Sequence, residues 1–402
     1  MDWTHILANR NSQMKASEIR ELLKLLDQPD IISFAGGIPD AALFPKTEIQ
    51  AAYTHVLEND PSNAALQYAP SEGYPPLREW IKSEMAKIGA DCGIDNIMIT
   101  SGSHQALDYL GKLFLNAGDT ALVSWPSYLG ALGAFNAYEP RYDRLDPQSN
   151  RPAQDYADAA APTGRVKFAY MSVDFANPTG VTLDTQDRVN ILQLATDLDI
   201  AIIEDAAYQA LRYDGEPTTP ILAMELAQQG DIDKCRTVFT GSFSKTLSPG
   251  LRVGWVVAAK SVIAQMVLIK QASDLHSPSI NQMVVNHVAR DCFDQHVAKV
   301  RAHYHARRDD MLNALKTYMP QNVEWTHPEG GMFIWLTLPD HIDGAILLAD
   351  SLKTQRVAFV PGQAFFADGS GSNTIRLNFT NAGSKQIEIG IKRLAKLIQT
   401  ML

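Results

Sequence analysis

The chain has 402 residues, 46% hydrophobic and 20% charged, the balance of an ordinary globular enzyme and enough length for a large core in two domains. Its 35 basic and 45 acidic residues leave a net charge of −10, which argues against a nucleic-acid surface. Cys92, Cys235 and Cys292 offer neither a disulfide framework nor a Cys-x-x-Cys pair, and no apolar run reaches signal-peptide or membrane-span length, so a cytoplasmic setting is expected.

Ser17 is placed to cap a short helix over residues 18–26, with Ile19, Leu22, Leu23 and Leu26 on one face. Residues 31–34 read as a strand running into Ala35-Gly-Gly37. From about residue 95 the signals alternate: strands over 96–100, 120–124, 166–173, 200–203, 236–240 and 253–257, and helices over 104–115 and 184–198. Such alternation predicts an α/β domain whose mostly parallel sheet carries helices on both faces. Beyond about Pro278 a long helical stretch runs to about Tyr318, followed by strands over 323–326, 332–337, 357–360 and 374–379 and a last helix over 384–401. This predicts a smaller α+β domain. We therefore expect an N-terminal segment 1–45 packing on the small domain, a large cofactor-binding domain 46–285 and a small domain 286–402. No Pro/Gly/Ser linker separates the last two, so a long helix is expected to join them.

Lys245 sits where a β-rich run breaks into a turn containing Ser242, Ser244, Pro249, Gly250 and Arg252. A lysine amid hydroxyls and an arginine suits an aldehyde cofactor with a phosphate: the amine forms a Schiff base while Ser and Arg hold phosphate oxygens. Pyridoxal 5'-phosphate (PLP) is that cofactor. Glu204-Asp205 ends an apolar strand, and an aspartate there would keep the pyridine nitrogen protonated, although an isolated pair of this kind is more often a solvated strand end. Asn177-Pro-Thr-Gly180 forms a tight turn able to present Asn177 to the phenolate oxygen. Ser101-Gly-Ser-His-Gln105 joins a strand to a helix, where amides and the Ser103 hydroxyl suit phosphate. Tyr128 is a candidate to stack on the pyridine ring, with a core tyrosine as the plain alternative. Arg376 is a charge inside an apolar strand: either a bidentate clamp for a substrate α-carboxylate or half of an internal ion pair.

Together these stretches resemble the fold-type I, class I/II PLP-dependent aminotransferases, and most closely the branch with α-aminoadipate and kynurenine aminotransferases. The resemblance runs from about Lys15 to the C-terminus. It is carried by Ile31-Ile-Ser-Phe-Ala-Gly-Gly-Ile-Pro39 with Leu43-Phe-Pro45, Leu66-Gln-Tyr-Ala-Pro-Ser-Glu-Gly-Tyr74, Asn177-Pro-Thr-Gly180, Ser242-Phe-Ser-Lys-Thr-Leu-Ser-Pro-Gly-Leu-Arg-Val-Gly254, Gly330-Gly-Met-Phe333 and Ile375-Arg-Leu-Asn-Phe379. It implies a seven-stranded-type sheet, with Lys245 as Schiff-base lysine, Asp205 as pyridine-nitrogen partner, and Asn177 and Tyr208 as phenolate donors. Ser103, Ser242, Ser244 and Arg252, with His104, match phosphate-end residues, and Tyr128 matches the stacking ring. Arg376, Asn177 and Gly37 fall at the substrate carboxylate. Tyr68 matches a tyrosine that reaches a neighbouring subunit's phosphate, which implies a homodimer with shared sites. His104 and Ala176 stand where glutamine is usual, Trp125 where an acidic residue is frequent, and the Glu-Asp-Ala-Ala-Tyr stretch lacks a common proline.

The expected activity is amino-group transfer from an L-amino acid (2-aminoadipate- or glutamate-like, aromatic or branched-chain) to a 2-oxo acid such as 2-oxoglutarate, by a ping-pong cycle. The competitors are a PLP-dependent lyase or decarboxylase on the same fold and a non-catalytic PLP-binding regulator. Fused DNA-binding regulators exist in this branch, but the 30 residues before Ile31 are too few for such a domain. Arg20, in Lys15-Ala-Ser-Glu-Ile-Arg-Glu-Leu-Leu-Lys24, matches an arginine that pairs with the distal carboxylate of acidic substrates in the α-aminoadipate branch; a solvated arginine paired with Glu21 or Asp27 is the alternative.

Overall fold

The computed structural model describes residues 3–14 and 30–402. The helix expected over 18–26, and Arg20 with it, lies outside them. Strand β1 (Ile32–Ser33) is followed by seven strands of one sheet: β2 (Ile97–Thr100), β3 (Thr120–Ser124), β4 (Arg141–Leu145), β5 (Val166–Ser172), β6 (Ala201–Asp205), β7 (Thr237–Ser242) and β8 (Gly254–Val257). Their order is β2-β8-β7-β6-β5-β3-β4, parallel throughout except for β8, which is antiparallel to both neighbours. β2 and β7 are buried along their whole length and β6 nearly so, as strands covered on both faces must be. Sequence reading missed β4. Three of its five residues, Arg141, Asp143 and Arg144, are charged, which suits an edge strand and hides it from a search for apolar runs.

The crossover helices follow from local signals. The Asp184 carboxylate accepts the Asp187 N–H at 2.8 Å to start the helix Thr185–Leu198 between β5 and β6. Buried Glu204 caps the helix Ile221–Gln229 between β6 and β7, accepting from Ile221 N and Leu222 N at 2.8 and 2.9 Å. Strands β2 to β7 all run the same way and deliver their C-terminal ends to one rim, where an α/β sheet places ligands.

Past the sheet, the helix Ser279–Tyr318 runs unbroken for 40 residues. Its first part gives Val284, Val285, Val288 and Ala289 to a core beneath the large sheet. Its later part gives Val300, Tyr304, Met311, Ala314 and Leu315 to a second core. That second core surrounds a four-stranded sheet whose members are β9 (Glu324–Trp325), β10 (Phe333–Thr337), β12 (Val360–Pro361) and β13 (Thr374–Asn378), ordered β12-β13-β10-β9. The run expected as one strand over 357–360 is divided. β11 (Val357–Ala358) pairs in parallel with β1, whereas β12 joins β13, and buried Phe359 lies between them. The helix Ser384–Gln399 covers the second core with Ile387, Ile391, Leu394 and Ile398. Among the described residues no helix is long and apolar enough to cross a membrane.

Candidate active site

Ser172, Asp205 and Ser242 are the last residues of β5, β6 and β7, and Asn177 follows β5 by one turn. Lys245 lies three residues beyond β7, in a turn closed by Phe243 N–H donating to Val253 O at 3.1 Å. Its Nζ donates to Gly37 O at 3.1 Å. Burial, followed by the positive charges of Arg376 and Arg252, pulls its pKa down to about 8.

The Asp205 carboxylate, 3% exposed, accepts from Tyr170 Oη at 2.9 Å, Ala207 N at 3.3 Å and Thr240 Oγ1 at 3.5 Å. Burial pushes its pKa up, and those bonds oppose the shift. Tyr170 and Thr240 were not singled out from sequence. The available signal was a hydroxyl-bearing side chain facing the next strand: Ser172 and Thr240 are both in register with Asp205, and Tyr170 lies two residues before Ser172.

On the opposite wall, Asn177 Nδ2 donates to Tyr208 Oη at 3.4 Å, and Asn177 Oδ1 accepts from Arg376 Nη1 at 2.7 Å. Arg376 Nη2 donates to Ala35 O at 2.9 Å, and its guanidinium lies 4.2 Å from the Phe333 ring centroid and 5.1 Å from that of Phe365. Among the described residues neither of its hydrogen-bond partners is a carboxylate, and its Nε has none. Burial alone pulls the Arg376 pKa down to about 10, against the pull of Tyr208 and Tyr128. A Cβ on Gly37 would meet Phe333 Cζ at 3.1 Å, so this segment approaches closely because the side chain is missing.

The third wall is built from hydroxyls and Arg252. Ser242 Oγ donates to Ser244 Oγ at 2.9 Å and accepts the Ser244 N–H at 3.1 Å. Arg252 occupies the left-handed region at φ 53°, an uncommon conformation for a non-glycine residue. Its Nη2 reaches back to Ser101 O at 3.0 Å. Gly102, at φ +82°, lies under that guanidinium: a Cβ there would sit 2.4 Å from Arg252 Nη2. Ser103 begins the helix Ser103–Phe114, and His104 is exposed in its first turn.

Ser103, His104, Tyr128, Asn177, Asp205, Tyr208, Ser242, Ser244, Lys245 and Arg252 all line one cavity of about 160 Å³. Ser172, Ala207 and Pro249 complete its lining. Arg376 and Gly37 join it through Asn177 and Lys245. Tyr68 is not brought there: it is 79% exposed, edge-on to His276 with ring centroids 5.9 Å apart.

A parallel-rich α/β sheet with a lysine and a buried carboxylate around one cavity, and a buried arginine bonded to its wall residue Asn177, defines a class of enzyme. The family model for aminotransferase class I and II matches residues 30–394, and the chain belongs to that family. It is 40% identical to the aromatic-amino-acid aminotransferase 1 of Thermococcus litoralis, across 99% of this chain and 95% of that one. The kynurenine aminotransferase of Pyrococcus horikoshii, solved in complex with PMP, superimposes with a TM-score of 0.91 at 40% identity, covering 100% of this chain and 98% of the other. The α-aminoadipate aminotransferase LysN of Thermus thermophilus, solved with N-(5'-phosphopyridoxyl)-L-leucine, gives 0.88 at 35% identity, covering 100% and 99%. The fold is the fold-type I α/β fold, the protein is an aminotransferase, and its cofactor is pyridoxal 5'-phosphate.

Proposed function

We propose that the chain moves an amino group from an acidic (2-aminoadipate- or glutamate-like), aromatic or branched-chain L-amino acid to a 2-oxo acid such as 2-oxoglutarate, in two successive half-reactions of a ping-pong cycle. The observation that carries this reading is Arg376, a buried guanidinium whose Nε is unpartnered among the described residues and whose Nη1 donates to Asn177 on the wall of the cavity that Lys245 also lines. A buried cation without a counter-ion among those residues suits a ligand that brings a carboxylate. The names of the relatives support the substrate range, since aromatic, kynurenine and aminoadipate enzymes all align along nearly their whole length.

The residues fit the cofactor. Ser103, His104, Ser242, Ser244 and Arg252 would hold its phosphate, Asp205 its ring nitrogen, Asn177 and Tyr208 its phenolate oxygen, and Tyr128 its ring face. Ser172 Oγ, buried on the cavity wall and unpartnered among the described residues, is a further polar atom available to it. When bound, PLP supplies a ring that spreads the charge left as a Cα–H bond breaks. Lys245, with a pKa near 8, carries enough neutral amine at neutral pH to take the Cα proton and hold it at Nζ. Arg376 orients the α-carboxylate so that this proton faces Nζ, and Asp205 accepts from three donors that oppose the upward pull of burial on its pKa.

Tyr68 is assigned to the site of a second copy, which makes the working unit a homodimer. The division into segment 1–45 and domains 46–285 and 286–402 is kept, with the helix Ser279–Tyr318 spanning the junction. Three free thiols suit the reducing cytoplasm. Single amino acids added to the loaded enzyme without oxo acid test the donor assignment. A stoichiometric burst of the matching oxo acid, with a change in cofactor absorbance, is the expected result, and no burst from any acidic, aromatic or branched-chain donor would overturn it. Arg20 is assigned to a distal carboxylate. Arg20→Ala should then weaken kcat/KM for 2-aminoadipate or glutamate by about 2–4 kcal/mol and for leucine by well under about 1 kcal/mol. Equal losses for both would make Arg20 structural.

A further inference from the structure

We propose that Lys270 is a positioning residue that fixes the phosphate-facing turn 101–104 by locking the side-chain amide of Gln105. The proposal rests on the phosphate end assigned above. Lys270 lies on the helix Lys260–Ser273, is fully buried and has no part in the chemistry described so far. Its Nζ donates to Gln105 Oε1 at 2.8 Å and to both oxygens of Asp274 at 3.0 and 3.1 Å. Asp274 in turn accepts from Gln105 Nε2 at 2.8 Å and from Tyr109 Oη at 3.2 Å.

These charges set the orientation of an otherwise ambiguous amide. Flipped over, Gln105 would turn its NH₂ toward an ammonium and its carbonyl toward a carboxylate. Locked as it is, Oε1 also accepts the Ser101 N–H at 2.9 Å. Ser101 is thereby held at three points: its N–H by Gln105, its carbonyl by Arg252 Nη2 at 3.0 Å, and its hydroxyl by Ser277 Oγ at 3.0 Å. Thr100 Oγ1 fixes the next carbonyl, donating to Gly102 O at 3.0 Å. The chain then enters Ser103 and His104 on the cavity wall with its direction set. Three donors and acceptors on one residue, the first of them traceable to the pair between buried Lys270 and Asp274, exceed what a turn needs merely to exist. They are what a turn needs to present its amides in one geometry.

The test compares two aldehydes on the full chain stripped of cofactor. PLP and pyridoxal both react with Lys245, but only PLP has a phosphate, so the ratio of their dissociation constants reports on the phosphate end alone. Lys270→Met should raise the Kd for PLP about tenfold, the size of one charged hydrogen bond lost, and that for pyridoxal by less than about twofold. Because Lys270→Met leaves Asp274 without its cation, Gln105→Met serves as a second variant. It keeps the Lys270–Asp274 pair and should shift the ratio to the same extent. A ratio unchanged in Gln105→Met, or in folded Lys270→Met, overturns the inference. The variants Ser242→Ala and Arg252→Gln separate the two levels. If they also leave the ratio unchanged, the phosphate assignment itself falls; if they change it while Gln105→Met does not, only the role of Lys270 is lost.

Discussion

The two ends of the cavity are assembled in opposite ways. The Ser/Arg252 end comes from two short stretches, 101–104 and 242–252, in which the residues that would touch phosphate also create the backbone shape. Gly102 at φ +82° and Arg252 at φ 53° are part of the turns they form. The Arg376 end draws on Ala35, Asn177, Tyr208, Phe333 and Arg376, which belong to separate elements and meet only when both cores are complete. A local end tolerates the loss of one donor because its neighbours stay where the turn puts them. A convergent end does not, since each member is oriented by another that comes from elsewhere.

Lys245 joins the two ends, and its loss should have the largest effect. Lys245→Ala is expected to lower kcat on the order of 10⁴-fold, and borohydride reduction followed by peptide mapping should find no lysine–cofactor linkage. In the wild type an adduct on any other lysine would remove the assignment. The cofactor-free native chain should capture PLP faster as pH rises, with a midpoint near the lysine's pKa of about 8. The same shift carries a stability consequence. Its folded pKa lies below the unfolded value of 10.5, so the unfolded chain binds more protons between about 8 and 10.5, and this group's destabilising contribution disappears as pH rises through that window.

Arg376→Lys probes the convergent end. It keeps a charge but loses the fork shared between Asn177 and Ala35, and should cost on the order of 1.5–3 kcal/mol in kcat/KM for every amino donor alike. Unchanged kinetics across several donors would show that another group holds the carboxylate. The smallest effect is expected at the local end: Ser242→Ala should weaken PLP binding by about 1 kcal/mol and leave kcat at saturating cofactor within about twofold. A larger fall in kcat than in the Arg376→Lys enzyme would reverse the contrast between the two ends.

The same contrast explains what could be read in the sequence. The stretches carrying Lys245, Ser242 and Arg252 identify themselves because hydroxyls, Pro249, Gly250 and a cation crowd into one turn, where chemistry and conformation coincide. Asp205 and Asn177 were legible as strand-end groups beside apolar runs. Arg376 stood out as a charge in an apolar strand, but its bonds to Asn177 and Ala35 span 199 and 341 residues, and no local pattern encodes such a meeting. Tyr170, buried within β5, looked like one more aromatic in a core strand; only the register of β5 on β6 brings its hydroxyl to Asp205. β4, a charged edge strand, carries no apolar run to mark it, and nothing in Val357-Ala-Phe-Val360 announces the change of sheet that divides the strand expected over 357–360.

Arg376 is also a liability to the fold that holds it. Among the described residues its guanidinium, taken out of water, has two neutral oxygens as hydrogen-bond acceptors and none for Nε, and burial pulls its pKa down to about 10. A buried cation with no carboxylate among its described hydrogen-bond partners costs the fold stability, and a substrate carboxylate bound there as proposed would offset that cost. Heat resistance and turnover should therefore part company at this one position. An apolar side chain of similar length, as in Arg376→Met, is expected to raise the melting temperature of the very protein it inactivates.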